Sequence, residues 1–450
     1  SDVLTMKIVI AGSGEVGSHL AKLLSAEEQD ICLVDEDSRK LAVLDANYNL
    51  MTLEANPTSF AGLREAGAGS CDLFIAVTPF ESNNIVACSI ARNLGARRTV
   101  ARIDTYDFMD PRNATHVAHM GVDSVIYPEY FAAQEILTSL RRSWARIWFE
   151  LHDGCIILAG VRLPENSPLA GMQLKDFAFT NRHFHVSAIK RNHETIIPRG
   201  GDRMEAGDIL YFTTTRDHIA DLPELAGKTR HSIRRVLIMG GSKMAIRLVN
   251  SDERDEFKFT IIESDPAICA RLTHKCPDCE IIQGDARDTD VLVEAGIADA
   301  DAFVALTPDS ETNILTCLTA KEFGVKKTVA EVENIQFIAQ AEGLNIGTVI
   351  NKKLLASSTI FQMLLASDTS TPKCLALADA EVAEIEARAG SRITRTPVKE
   401  IALSRDMTLA GLIRDGQGML ITGNTVIEPG DRVLVFCLAG ALHKVEKMFI

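Results

Sequence analysis

The fold of this chain turns on residues 6–24, MKIVIAGSGEVGSHLAKLL. Lys7-Ile8-Val9-Ile10-Ala11 is short, apolar and β-branched, the composition of a strand buried on both faces. Gly12, Gly14 and Gly17 come next at G-x-G-x-x-G spacing, and Val16, Leu20, Leu23 and Leu24 then line one helical face. Each glycine has its own task in such a strand–turn–helix. Gly12 permits the tight turn, Gly14 lets backbone approach a pyrophosphate, and Gly17 lets helix and strand pack closely. The helix start adds unpaired N–H groups and the positive end of its dipole. Glycine triplets also occur in ordinary strand-to-helix loops, so the next strand must carry the weight.

Ile31-Cys32-Leu33-Val34 predicts that second strand, and it ends in Asp35, 18 positions after Gly17. That is close to the ~20 expected for a carboxylate that binds the adenosine ribose. Glu36 and Asp37 repel a ribose 2′-phosphate, which Arg39 offsets only in part, so the pattern favours NAD over NADP.

Composition narrows the class. A chain of 450 residues, 46% hydrophobic and 24% charged, is an ordinary globular protein of two to four domains. A net charge of −14 argues against a nucleic-acid partner, which calls for a basic face. Ten cysteines without framework spacing read as a reducing, cytoplasmic setting. Ser1–Thr5 reads as a loose leader ahead of Met6, not a secretory signal. The longest apolar run, Val433–Leu442, is too short to span a bilayer.

The chain also says the same thing twice. Lys7-Ile-Val-Ile-Ala-Gly12 matches Arg235-Val-Leu-Ile-Met-Gly240 at an offset of 228, which brings Asp35 onto Glu263. EAGAGSCDLFIAVTPFESNNIVACSIARNLGARRTVARID (65–104) parallels EAGIADADAFVALTPDSETNILTCLTAKEFGVKKTVAEVEN (294–334) at an offset of 229. Within the first copy, strands predicted at 8–11, 31–34, 50–53, 73–77, 99–103 and 124–126 alternate with helical patterns, as in a doubly wound parallel sheet. RMEAGDILYFTTTRDHIADL (203–222) then resembles VIEPGDRVLVFCLAGALHKV (426–445), a Gly-Asp turn feeding a strand and a helix. The expected fold is α/β: two tandem Rossmann-like domains, 6–142 and 232–367, each followed by a small α+β domain, 147–228 and 371–450. The joints fall near Arg142–Trp148, Gly227–Ser232 and Ser367–Pro372.

This arrangement resembles the TrkA family, the cytosolic regulatory subunits of bacterial Trk potassium uptake, built from tandem regulator-of-potassium-conductance (RCK) domains. The resemblance runs from Met6 to Ile450 and rests on the duplication, VIAGSGEVG (9–17), LVDED (33–37), AVTPFESNN (76–84) and TVARI (99–103). It implies binding of NAD(H), and in some members ATP or ADP. It also implies tetrameric or gating-ring homo-oligomers, and control without catalysis of an integral membrane potassium-transporting partner from the inner face of the membrane. Carried over by motif, the first-copy site is Gly12, Ser13, Gly14, Glu15, Val16, Gly17, Asp35, Asn56, Thr78 and Arg102. Ser13, Glu15 and Val16 offer backbone N–H groups, Thr78 a hydroxyl where the sheet opens, and Arg102 a charge for phosphate. Glu54-Ala55-Asn56 departs from the family's Gly-Asp-Ala turn, which the second copy keeps as Gly284-Asp285-Ala286.

The second copy departs further. Ser242 and Ala245 replace two glycines, and Glu331 stands at the position of Arg102, which reads as a structural copy. Cys276-Pro-Asp-Cys279 with His274, and His183-Phe-His185, lack the further ligands a metal site needs, so no metal is expected. Trp144 and Trp148 are read as packing along a linker helix. The rival function is an NAD-dependent oxidoreductase, but no Tyr-x-x-x-Lys or poised His or Cys supplies its acid–base group.

Overall fold

The computed structural model describes residues 6–26, 29–151, 154–192, 194–252, 256–365, 373–376 and 380–449. The Ser1–Thr5 leader and the Ser367–Pro372 joint lie outside them. The strands β1 (Lys7–Ala11), β2 (Asp30–Asp35), β3 (Met51–Glu54), β4 (Leu73–Ala76), β5 (Arg98–Arg102) and β6 (Ser124–Ile126) form a parallel sheet. Its order is β3-β2-β1-β4-β5-β6, reversing direction of growth between β1 and β4, where doubly wound sheets open a crevice. The uninterrupted apolar run of β1 is explained by its central place: Ile8, Val9, Ile10 and Ala11 have no exposed surface.

The first small domain is an antiparallel sheet of β7 (Ile147–Leu151), β8 (Ile156–Arg162), β9 (Phe184–Arg191), β10 (Glu194–Ile196) and β11 (Ile209–Thr215), in the order β10-β9-β11-β8-β7. The second Rossmann sheet repeats the first. It comprises β12 (Arg235–Met239), β13 (Lys258–Glu263), β14 (Glu280–Gln283), β15 (Ala302–Ala305), β16 (Lys327–Glu331) and β17 (Thr348–Ile350), ordered β14-β13-β12-β15-β16-β17. After a short β18 (Lys373–Ala376), the strands β19 (Ala380–Glu386), β20 (Met407–Arg414), β21 (Gln417–Leu420) and β22 (Arg432–Leu438) pair antiparallel as β19-β22-β20-β21. The expected fold class is the observed one.

The repeated Gly-Asp turns have a structural purpose. Asp208 and Asp431 are each only 2% exposed. Arg191 donates from Nε and Nη2 to the two Asp208 oxygens at 2.8 and 2.7 Å, and Arg414 does the same to Asp431 at 2.8 and 2.6 Å. These forks pin the turn to a strand end in both copies.

Contacts divide the chain into two compact units, residues 1–131 with 352–378, and 132–351 with 379–450. In the first, the helix Lys352–Leu365 packs along the helix Glu15–Ala26, with the Ser357 hydroxyl donating to the Val16 carbonyl at 3.4 Å and Lys353 paired with Glu15. In the second, the tail of the helix Pro128–Arg141 packs beside β17, Ser139 donating to Thr348 Oγ1 at 3.0 Å. The expected linker helix through both tryptophans is not formed. The helix stops before Trp144, and Trp148 lies on β7, meeting Trp144 edge-on at 6.0 Å and carrying Arg142 over its ring. Aromatic stacking, not helical spacing, brings the pair together.

Candidate nucleotide-binding site

The carboxyl ends of β1, β2, β4 and β5 bring the candidate residues to one edge of the first sheet. Gly12 N–H donates to Val34 O at 2.8 Å, Val77 N–H to Ala11 O at 2.8 Å, and Ala55 N–H to Asp35 O at 3.0 Å. Asn84 Nδ2 donates to Thr78 O at 3.0 Å and to Arg102 O at 2.9 Å, completing the row from Asn56 to Arg102.

The three turn glycines differ in what requires them. Gly12 has φ of +111°, and a Cβ there would lie 2.9 Å from Thr78 N. A Cβ on Gly17 would overlap the Gly12 carbonyl oxygen. Both are therefore demanded by the turn itself. Gly14 is not: its φ is unremarkable for an L-residue, and nothing lies within 4 Å of where its Cβ would sit. The fold leaves open the space that a close backbone approach by a pyrophosphate would use. The helix starts at Glu15, and among the described residues the N–H groups of Gly14, Glu15 and Val16 have no acceptor.

Asp35 holds this turn. Its Oδ2 accepts from Ser13 N–H at 2.6 Å and from the Ser13 hydroxyl at 2.8 Å, and its Oδ1 from Asp37 N–H at 2.9 Å. Burial raises the carboxyl, but these three donors outweigh it and hold Asp35 below the usual carboxylate range. The Ser13 amide, expected to face phosphate, is thus taken by Asp35. Asp37, read as a repulsive charge, accepts from Arg39 and Lys40 N–H groups as the cap of the next helix.

Thr78 is likewise occupied. Its hydroxyl donates to Asn84 Oδ1 at 2.7 Å, its N–H reaches the same oxygen at 2.9 Å, and it is 8% exposed. Thr307 and Asn313 repeat this lock, with Asn313 Nδ2 on Glu331 O at 2.8 Å. The motif shared by the copies fastens the ends of β4 and β5, or β15 and β16; Asn84, quoted in the sequence pattern without a role, is its centre. Asn56 uses its Oδ1 to start the next turn, accepting from Thr58 N–H at 2.7 Å. The Arg102 guanidinium has no partner among the described residues.

The second turn is built otherwise. Glu263 accepts from Gly241 N–H at 2.7 Å and Asp265 N–H at 2.8 Å, the longer acid doing the work of Asp35. Ser242 Oγ accepts from Ala245 N–H at 3.2 Å and caps the helix with its own oxygen. Glu331 is 2% exposed.

Elsewhere, His183 stacks on His218 at 3.7 Å, and His185 faces Thr408 Oγ1 at 3.3 Å. Among the described residues no three His, Cys, Asp or Glu side chains group as metal ligands, and no helix is long and apolar enough to cross a membrane.

Family models agree with this duplicated plan. The TrkA-N domain matches residues 8–128 and again 236–352, and the TrkA-C domain matches 158–227 and 382–450. The chain belongs to the TrkA family. Among TrkA relatives, the Trk system potassium uptake protein TrkA of Azorhizobium caulinodans is 28% identical across 99% of this chain and 98% of its own length. That of Haemophilus influenzae is also 28% identical, with 99% and 98% covered. These TrkA proteins are named for potassium uptake, not for an enzymatic activity. Among solved structures, the GsuK RCK domain superposes with a TM-score of 0.59 at 15% identity, covering 100% of this chain and 96% of that one. The GsuK channel bound to NAD gives 0.59 at 15%, covering 100% and 80%. This TrkA-family chain therefore has the RCK fold.

Proposed function

We propose that the first Rossmann cleft is a dinucleotide sensor that takes NAD(H), and that the chain regulates a membrane potassium-transporting partner. The observation that carries the reading is Gly14. Of the three glycines it alone lacks a reason within the fold, and it sits where an incoming pyrophosphate needs bare backbone. Gly12 and Gly17 shape that turn, and the amides of Glu15 and Val16 join it in facing the phosphates. Asp35, already oriented by Ser13, has lone pairs left for the ribose hydroxyls. Arg102 supplies charge, Asn56 keeps its amide donors, and Thr78 holds the cleft edge. ADP and ATP present the same phosphate chemistry to this turn. The GsuK structures bound to NAD and to ADP, on the same fold, favour both classes of ligand.

The family's naming for potassium uptake supports a membrane-embedded Trk-type partner, with this chain at the cytoplasmic face and assembled as a homo-oligomer, a tetramer in our reading. The four-domain order 6–142, 147–228, 232–367 and 371–450 supplies one sensing copy and one packing copy. A ligand changes such an assembly only by binding one of its states more tightly. Titrating NADH into the full chain by calorimetry tests the site. Gly14→Val should lose binding while its melting curve stays that of the wild type. Wild-type affinity in that variant would sink the assignment. The partner's potassium flux, measured with and without NADH, tests the regulatory half.

A further inference from the structure

A second feature of the molecule has no place in the dinucleotide cleft. In the unit formed by residues 132–351 and 379–450, a cavity of about 380 Å³ opens between the first small domain and the second Rossmann sheet. Arg146, Arg162, Lys228, Lys321, Lys326 and Lys327 line it, in a chain whose net charge is −14.

Among the described residues none of these six side chains is held in an ion pair. Arg162 donates to Glu342 O at 2.8 Å and Arg146 to Asn345 Oδ1 at 2.6 Å, while Lys321 donates to Asn345 O. Lys327 donates to Ala145 O at 3.1 Å and Thr348 Oγ1 at 3.0 Å. Each of these acceptors is uncharged. Lys228 and Lys326 have no partner among the described residues. The nearby carboxylates do little to compensate. Glu342 is paired with Lys190 at 2.8 Å, Glu165 is exposed at the rim, and burial raises Glu135 to about 7. Burial and mutual repulsion push Lys228 down to about 8, burial with Arg162 pushes Arg146 down to about 10 against the opposing pull of Glu342, and burial holds Lys327 well below the usual lysine range.

The duplication supplies an internal control. Lys321, Lys326 and Lys327 correspond to Arg92, Arg97 and Arg98 of the first copy. There Arg92 is paired with Asp123, and Arg97 with Asp72 at 3.0 Å. By strand register Asp123 is replaced in the second copy by Gly347, since β6 Ser124 pairs with Val100 as β17 Thr348 pairs with Val329. Asp301, the counterpart of Asp72, is turned to the backbone N–H groups of Arg234 and Arg235 at 2.9 Å. The second copy keeps three basic positions, has lost the Asp123 acid, holds the Asp72 counterpart on backbone N–H groups, and adds Arg146, Arg162 and Lys228 from outside its sheet.

We propose that this cavity binds a small polyphosphate anion, at a site separate from the dinucleotide cleft. Its volume falls in the range of small-ligand sites. Clustered Arg and Lys donors with no anionic partner are the arrangement that phosphoryl oxygens satisfy. Trp144, also in the lining, offers a face to a nucleoside attached to the phosphates.

The test is calorimetric titration of the full chain, saturated with NADH to occupy the first cleft, using inorganic tripolyphosphate as probe. Saturable binding that weakens with added KCl is expected, as for any ligand held by exposed charge. Lys326→Gln and Lys228→Gln should each weaken it roughly tenfold, as for a lost charge-assisted contact. Arg97→Gln, the first-copy counterpart, should leave it unchanged. Because Lys326 is exposed, its variant will fold, and circular dichroism verifies this. In a parallel arm, tighter binding of ATP than of tripolyphosphate identifies a nucleotide as the source of the phosphates, and equal binding identifies a free phosphate chain. No saturable binding, equal affinity in both lysine variants and wild type, or competition with NADH would each overturn the proposal.

Discussion

At position 14 the first Rossmann copy has no side chain and nothing within 4 Å of where one would begin, whereas position 242 of the second holds a serine that caps Ala245 N–H at 3.2 Å. The two turns share a strand, an acid at the end of the next strand, and a Thr–Asn lock. They differ in who satisfies the helix start. In the first copy the amides of Gly14, Glu15 and Val16 have no acceptor among the described residues; in the second the chain supplies its own oxygen. A duplicated fold can thus keep its architecture while its two helix starts are treated differently, because the demand for an acceptor at a helix N-terminus can be met by the chain itself or from outside it.

The largest expected effect tests whether Gly17 and Ala245 are truly different in need. Gly17→Ala drives a Cβ into the Gly12 carbonyl and should cost about 3 kcal/mol in chemical denaturation, whereas Ala245→Gly should cost about 1 kcal/mol. Equal costs would mean that the two turns have the same backbone.

Acid comes next, and it also separates the copies. His185 faces its own counterpart, Thr408, 223 positions on, and burial depresses the imidazole from 6.5 to about 4. His19 is likewise lowered to about 4, by burial and then Lys22, and its counterpart is Arg247. A depressed histidine favours folding in its neutral form. Its contribution is complete above pH 6.5 and is lost as the pH falls toward 4, where only the unfolded chain takes the proton. For His185 the loss is on the order of 3 kcal/mol. Denaturation midpoints between pH 7 and 4.5 should fall, and His185→Gln should flatten that decline. An unchanged slope would show that His185 is not buried neutral.

A smaller effect is expected at the phosphate end. Arg102→Glu should weaken NADH binding by roughly 1.5–3 kcal/mol, while Glu331→Arg leaves it unaltered. Equal damage from both would make the second copy a working site. The smallest effect concerns the cap: Ser242→Ala should cost ~1 kcal/mol of stability and nothing in NADH affinity.

Much of this was readable from residues alone. The strands of both Rossmann sheets, the order of the halves and the glycine turn come from β-branched runs, spacing and repetition, all of which are local signals. What the sequence hid is where hydrogen bonds go. Ser13 and Thr78 looked available to a ligand, yet one is taken by Asp35 and the other by Asn84, choices set by distances across the sheet edge. The Gly-Asp turns were visible, but Arg191 and Arg414, each 17 residues upstream, carry no pattern that names them as partners. The basic cavity was invisible for a similar reason. Its cations are spread from Arg146 to Lys327 in a chain whose overall charge is negative.

The helix Lys352–Leu365 has a consequence for the order in which the protein can be made. It is part of the first compact unit, lying against the helix that follows the first glycine turn, yet it is encoded more than two hundred residues after Phe131. A ribosome adding about 5–20 residues per second needs roughly 10–45 s to cover that interval. For all that time the amino-terminal sheet waits with one helix face uncovered, so the first compact unit is begun first and finished late. A chain stopped at the joint near Gly227 would leave it permanently unfinished.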